Sequence, residues 1–449
     1  MEKELIYFNG VDVESGEYLR DPMSLEEVRQ RIPAIDAIPE TRERALVDWI
    51  DPNDLGQTRW GILAHQDEDP AVLKALEPLL KHRAINAGEV RRLVFTEEDR
   101  LQGEEAIDSF LDRYGVPPGD VDPSQEELPY YILIVGSPER IPFSFQAELD
   151  ISHASGRLYF DDPQAYSRYA RSLVAQELEP IRREKRLALF GTDNGDRITG
   201  LTSQYLVPPL AQKMADLKTD DWTLQTIAPP HASKEKLMEL LTGKDAPTLL
   251  FTAGHGAVSK KRPLQIQGAL ICSDWQGGKL AASHYICGAD VLPEHDFRGT
   301  LPFFFACFTA GTPRYDVFVE PGKKPWQWHE KSFIGALPQA LLGHPHGPLA
   351  IIAHVDQAFQ YSFLWNENIL GVAHFAGTYY RLMSGARVGY AMEPFRRRYA
   401  AAMASIKRAR RRRKNMVDGD IIRWIGFQDA RYYTVLGDPA VRLPVGKSL

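Results

Sequence analysis

Short, unbroken apolar runs punctuate this chain, and most stop at a glycine or a small polar residue. YYILIV (130–135), RLALF (186–190), TLLFTAG (248–254), LPFFFA (301–306) and LAIIAHV (349–355) have no polar alternation. A strand loses its alternation when both of its faces are covered, so these runs predict fully buried strands. TLQTIAP (223–229) and YYTVLGDP (432–439) are weaker strand patterns. Between them, KEKLMELL (234–241), FIGALPQALL (333–342, interrupted by Pro338) and NILGVAHFAGTYYRLM (368–383) have helical spacing. Buried strands alternating with helices predict an open, largely parallel α/β sheet flanked by helices. In such sheets the active crevice lies beyond the carboxyl ends of the strands.

The first ~125 residues have a different texture. They are rich in charge and carry helical patterns at SLEEVRQRI (24–32) and PAVLKALEPLLKHR (70–83). Ser24 is placed to cap the first helix, with Glu27 as its capping-box partner. GVPPGDVDPSQEELP (115–129) is packed with turn formers and reads as a linker. The expected division is therefore a mainly helical or mixed accessory region at 1–125 and a second domain at 126–449. Residues 126–185 are a candidate separate lobe of that domain.

Composition narrows the classes. The chain has 449 residues, 44% hydrophobic, with a net charge of −7. That is enough for a large core and has no global signature of nucleic-acid binding. Three cysteines at irregular spacing form neither a disulfide framework nor a zinc site, so reduced thiols in a cytoplasmic protein are expected. No apolar run is long enough to span a bilayer, and MEKELIYFNG lacks the apolar core of a signal peptide.

Two of the runs end in reactive side chains. LFTAGHG (250–256) stops at His255, and FFFACFT (303–309) stops at Cys307. A thiol must lose its proton to attack a carbonyl, and an imidazole can take that proton and later deliver it to a leaving amine. Gly256 lets a substrate carbonyl approach the main chain, so its N–H is a natural oxyanion donor. Taken singly, each run is equally a core strand with an incidental polar end. Their order and separation, 307 − 255 = 52 residues with the histidine first, link them.

These blocks resemble the caspase–gingipain superfamily of cysteine peptidases, which pair a hydrophobic block ending in His-Gly with a second ending in a small residue and Cys. YILIVGSPERIPFSFQ (131–146) is similar to the opening of a gingipain-like catalytic region. ALPQALLG, PLAIIAHVDQAF and FAGTYYRLMSGARVGYAM, between 336 and 392, resemble the CHAT pattern after the nucleophile, and YYTVLGDPAVRLP (432–444) the end of such domains. The resemblance spans roughly 130–444. It implies a caspase–gingipain-like three-layer fold and an endopeptidase with Cys307 as nucleophile and His255 as base and proton donor. It also implies protein substrates, no metal or organic cofactor, and a place in regulated systems that include bacterial defence. In separase-type relatives an acid after the nucleophile binds a basic substrate residue, and Asp356 falls at about that place. The alternative is a catalytically silent interaction module on the same fold.

Other features carry less chemistry. The basic run at Arg408 and Arg410 to Lys414 reads as a solvated helix end, a self-processing site or an anionic contact. GHPHG (343–347) reads as a turn, and GTDNGDRITG (191–200) as a loop without phosphate-binding spacing. WQWHE (326–330) is a candidate wall of a substrate groove, or a satellite apolar patch.

Overall fold

The computed structural model describes residues 5–32, 44–100, 105–117, 119–181, 183–217, 221–318, 322–366, 369–410 and 417–444. Ten strands form one sheet. In spatial order they are Val90–Phe95, Trp60–His65, Tyr131–Val135, Ala154–Leu158, Tyr433–Leu436, Ile351–His354, Leu301–Phe305, Leu249–Ala253, Arg186–Gly191 and Thr223–Ile227. Every neighbouring pair is parallel except Ile351–His354 with Tyr433–Leu436. The sheet is therefore two five-stranded parallel halves joined through one antiparallel pair, and the carboxyl ends of the two halves open on opposite rims.

Both faces are covered, which is why the strands read as unbroken apolar runs. Tyr131, Leu133 and Val135 turn into the main core, while Ile132 and Ile134 meet Phe95, Phe110 and Phe145 on the other face. In the second half, Phe251, Phe303 and Phe305 share a face against Phe375 and Tyr379 of the Ala373–Met383 helix, with ring centroids 5.4–6.3 Å apart. Each such ring contributes roughly 1.5–3 kcal/mol by leaving water. This is a caspase-like three-layer α/β fold with a mostly parallel sheet.

Three strands of this sheet went unseen in the sequence. Val90–Phe95 is an edge strand carrying Arg91 and Arg92. Ala154–Leu158 is central but contains Ser155, Gly156 and Arg157. The Arg157 guanidinium is buried and satisfied by Gln146 Oε1 (2.8 Å) and the Gly136 carbonyl (3.1 Å). A polar side chain held in this way hides a buried strand from hydrophobic patterning. Trp60–His65 is apolar but stands alone in a charged region. In the other direction, Pro338 does not interrupt its helix. It falls in the first turn of Ala336–Leu342, where its missing N–H has no intrahelical partner to lose.

The expected boundary near residue 125 does not divide the sheet. Residues 60–64 pair one for one with Tyr131–Val135, so residues on both sides of the boundary build one half. Within residues 126–185, Ala154–Leu158 pairs in parallel with Tyr433–Leu436 near the other end of the chain. A buried ion pair also fastens the early residues. Arg83 bonds Glu177 through two nitrogens, both at 2.7 Å, and Asp438 at 2.7 Å. Trp60 Nε1 donates to the same Asp438 at 2.9 Å. No helix among the described residues is long and apolar enough to cross a membrane.

Candidate active site

Four neighbouring strands deliver their following residues to one rim. Gly191, Ala253 and Phe305 lie in register across three of them, and Phe304 faces Ala353 on the fourth. His255 and Cys307 each follow two residues after the Ala253–Phe305 pair, so the parallel register brings imidazole and thiol to adjacent strand ends. Asp196 comes from the strand on one side, and Asp356, Gln357 and Ala358 from the strand on the other.

Gly256 lies against the main chain of Cys307. A Cβ there would come within 1.9 Å of the Cys307 carbonyl oxygen, so only glycine allows this approach. The close approach is therefore made by the Cys307 main chain. Phe308 (φ +60°) and Asp356 (φ +66°) both adopt left-handed backbone, and the Phe308 N–H donates to the Asp356 carbonyl at 2.7 Å. Strain of this kind persists where surrounding structure over-determines it. Here it folds the two strand ends back beside the thiol.

The Cys307 thiol is buried and receives the Ala358 N–H at 3.1 Å. Burial pushes it well above the usual thiol range. The Ala358 N–H opposes that, and the charges of Asp356 and Asp429 add to it. In this arrangement the sulfur is a neutral thiol. Cys272 and Cys287 are also free, buried and raised by desolvation, so burial alone does not distinguish Cys307. What distinguishes it is its neighbours.

His255 is fully buried and bonded at both ring nitrogens. Nε2 is hydrogen-bonded to Asp196 Oδ2 at 2.8 Å, and Nδ1 to Asn9 Oδ1 at 2.5 Å. The Asn9 oxygen also accepts the Gly10 N–H, which fixes it as the acceptor. With both nitrogens engaged by side-chain oxygens, neither is free to take the thiol's proton. Tyr18 and Trp275 meet the ring edge-on at 5.6 and 6.3 Å.

Asp196 was missed in the sequence. It is the N-cap of the Arg197–Tyr205 helix, with Oδ1 accepting the Ile198 and Thr199 N–H groups, while Oδ2 reaches His255. Burial would raise its pKa. The hydrogen bond and charge of His255, with the Thr199 N–H, outweigh that and hold it below the usual carboxylate range. Its capping role was the only signal in the sequence, and that signal says nothing about the histidine. Asn9 had no signal, since it lies 246 residues from His255.

Asp356 does reach the site, but as a buried group. Its Oδ1 accepts the Gln357 N–H at 2.8 Å. Burial pushes its carboxyl up to about 7, against the Gln357 N–H and the charge of Arg20. A more strongly committed acid stands nearby. Asp316 is buried, bonds the Phe318 N–H at 2.9 Å and forms an ion pair with Arg20. Of WQWHE, Trp328 packs on Phe308 at 5.5 Å, and half-exposed Trp326 lines the adjoining groove. The basic run falls largely outside the described residues: helix backbone ends at Arg410, and 411–416 and the side chains from 407 are not described.

Fold and strand-end residues together define a mostly parallel three-layer α/β protein with a thiol and an acid-bound imidazole on one rim. No family model matches the chain, and no curated protein matches it in sequence. A solved structure described as a protease is similar in fold at a TM-score of 0.52 and 14% identity. The match covers 87% of this chain and 80% of that one.

Proposed function

We propose that this chain is a cysteine endopeptidase of the caspase-like superfamily, of gingipain or CHAT type, with Cys307 as nucleophile and His255 as base. The observation that carries the reading is the register of two parallel strands. It places His255 and Cys307 at equal distances past a paired position, with Asp196 on the imidazole and Gly256 against the thiol's main chain.

The chemistry follows from these groups. Once Nδ1 is released from Asn9 and any proton it carries has passed to water, its lone pair can take the thiol's proton, while Asp196 holds the other nitrogen and stabilises the imidazolium. The thiolate attacks the scissile carbonyl carbon, and the carbonyl electron pair moves to oxygen. The Gly256 N–H is the proposed donor to that oxyanion, and the Ala358 N–H already points at the sulfur. The tetrahedral intermediate collapses, the C–N bond breaks, and His255 returns the proton to the leaving amine. A thioester on Cys307 remains. Water then gives a proton to His255 and its oxygen to the acyl group, regenerating the thiol.

The test is cleavage of a peptide library by the wild type, Cys307→Ala and Asp356→Ala. Cleavage lost in Cys307→Ala, with a basic residue before the cut in the wild type, supports the reading. Cleavage that survives Cys307→Ala sinks it. A non-basic preference shared by the wild type and Asp356→Ala sinks the role of Asp356.

The second reading is a silent interaction module. It is favoured by the absence of any bond between the imidazole and the thiol, with both ring nitrogens engaged elsewhere. A wild type that cuts no peptide and leaves Cys307 unmodified by an electrophilic peptide would establish it.

A further inference from the structure

The N-terminal segment does more than touch His255. Val11 and Val13 donate to the carbonyls of Gly256 and Val258 at 3.2 and 2.9 Å, so residues 11–12 run as a short parallel strand beside the histidine loop. Asn9 joins both sides of the site, with its side chain on His255 and its carbonyl receiving Gln357 Nε2 at 2.9 Å. Ile6, Phe8, Val11 and Val13 are buried, which anchors this base. Residues 14–24 after it are half-buried or exposed and lie over the rim.

Arg20 projects from that looser part. Its guanidinium pairs with Asp316, whose side chain is 1% exposed. It lies 5.6, 5.8 and 5.7 Å from the ring centroids of Phe8, Phe318 and Trp328. A desolvated cation framed by a carboxylate and aromatic faces is the recognition geometry for a basic side chain. Trp328 in turn packs on Phe308, the residue after the nucleophile. A groove of about 600 Å³ adjoins this point, lined by Arg20, Asp21, Phe318, Trp326, Trp328 and Lys260.

We infer that Arg20 is a built-in pseudosubstrate. The pocket framed by Asp316, Phe318 and Trp328 receives the basic side chain of a protein substrate, and the 14–24 loop must leave it before substrate enters. The inference rests on the peptidase reading, moves recognition of the basic residue from Asp356 to Asp316, and names the segment that blocks it. The same segment carries Tyr18 against His255, so one displacement empties the pocket and uncovers the imidazole edge.

The test compares the full-length wild type with Arg20→Ala and Asp316→Asn, using electrophilic peptide probes that end in arginine or leucine. The rate of Cys307 modification is read by intact mass. If the open loop is ~10% populated in the wild type, Arg20→Ala raises the rate about 10-fold. Asp316→Asn is expected to lose the preference for arginine over leucine. Equal rates in the wild type and Arg20→Ala, or an arginine preference that survives Asp316→Asn, would overturn the pseudosubstrate and leave the peptidase standing. No modification of Cys307 in any variant would overturn the peptidase reading itself.

A measurement on the wild type guards against a variant that fails to fold. The Leu19 N–H donates to the Gly10 carbonyl at 3.1 Å and Gly16 to Asp12 at 2.7 Å, so both amides report the loop. Capture of Cys307 by the arginine probe is expected to speed their hydrogen exchange. Unchanged exchange in the captured protein contradicts displacement.

Discussion

Residues 5–24 and residues 60–95 leave the same early stretch of chain for different halves of the molecule. The first group runs along the rim that carries His255 and Cys307, placing Asn9 on the imidazole and Arg20 on Asp316. The second supplies the two outermost strands of the other half-sheet and is fastened by Arg83 to Glu177 and Asp438. The two segments come from the same charged early region, yet one bonds chemistry-bearing groups and the other bonds only framework. The difference teaches that proximity in sequence does not set a segment's role here. Its bonding partners do. Substitutions in the first group should therefore change rates at near-constant stability, and substitutions in the second should do the reverse.

The largest expected effect lies on the rim. On the proposed mechanism, Cys307→Ala and His255→Ala are each expected to lower kcat/KM for peptide cleavage by about 10³-fold or more, since a nucleophile and its base act as a unit. Steady-state kinetics checks this, with melting curves showing that the fold survives. A smaller loss, about 10²-fold in kcat, is expected for Asp196→Asn. Asparagine keeps the helix cap but not the charge on the imidazolium. The pH–rate profile should shift with it, and an unshifted profile would reduce Asp196 to a cap.

On the far half the expected signature inverts. Arg83→Ala leaves Glu177 and Asp438 buried beside an empty space, so unfolding free energy should fall by about 3–5 kcal/mol in denaturant titration. Cleavage per folded molecule should be unchanged. A matching loss of kcat in the folded fraction would break the comparison.

The smallest effect concerns Asp356 and pH. The folded protein holds this proton up to about pH 7, whereas the ordinary value is 3.8. Between those values the folded state binds more protons than the unfolded one. The contribution to stability is therefore fully present below the unfolded value and is lost as pH rises through about 7. Asp356→Asn keeps an acceptor for the Gln357 N–H and removes the titration. It is expected to stabilise the protein by ~1–3 kcal/mol at pH 8 and to do little at pH 4. Equal effects at both pH values would contradict burial as the cause of the shift.

What the sequence displays and what it hides divide along physical lines. Strands covered on both faces, such as Leu249–Ala253 and Leu301–Phe305, announce themselves because burial removes every polar residue from them. Ala154–Leu158 does not, because Gln146 and two carbonyls satisfy its arginine inside the core. His255 and Cys307 stand out because each ends an apolar run. Asp196, Asn9, Arg20 and Asp316 do not, since each acts through a contact between segments far apart in the chain. Asp196 lies 59 residues from His255 and Asn9 lies 246. Local pattern marks the groups proposed to do the chemistry, and only the fold marks the groups that hold them.

The most direct test of the central claim is site-resolved thiol capture. The full-length protein is treated with a limiting electrophilic peptide ending in arginine, and modification at Cys272, Cys287 and Cys307 is mapped by peptide mass. All three thiols are buried and raised by desolvation, so only an active site should separate them. The account predicts modification at Cys307 alone, abolished by His255→Ala. Equal modification of the three cysteines, or capture at Cys307 that is indifferent to His255, would contradict it.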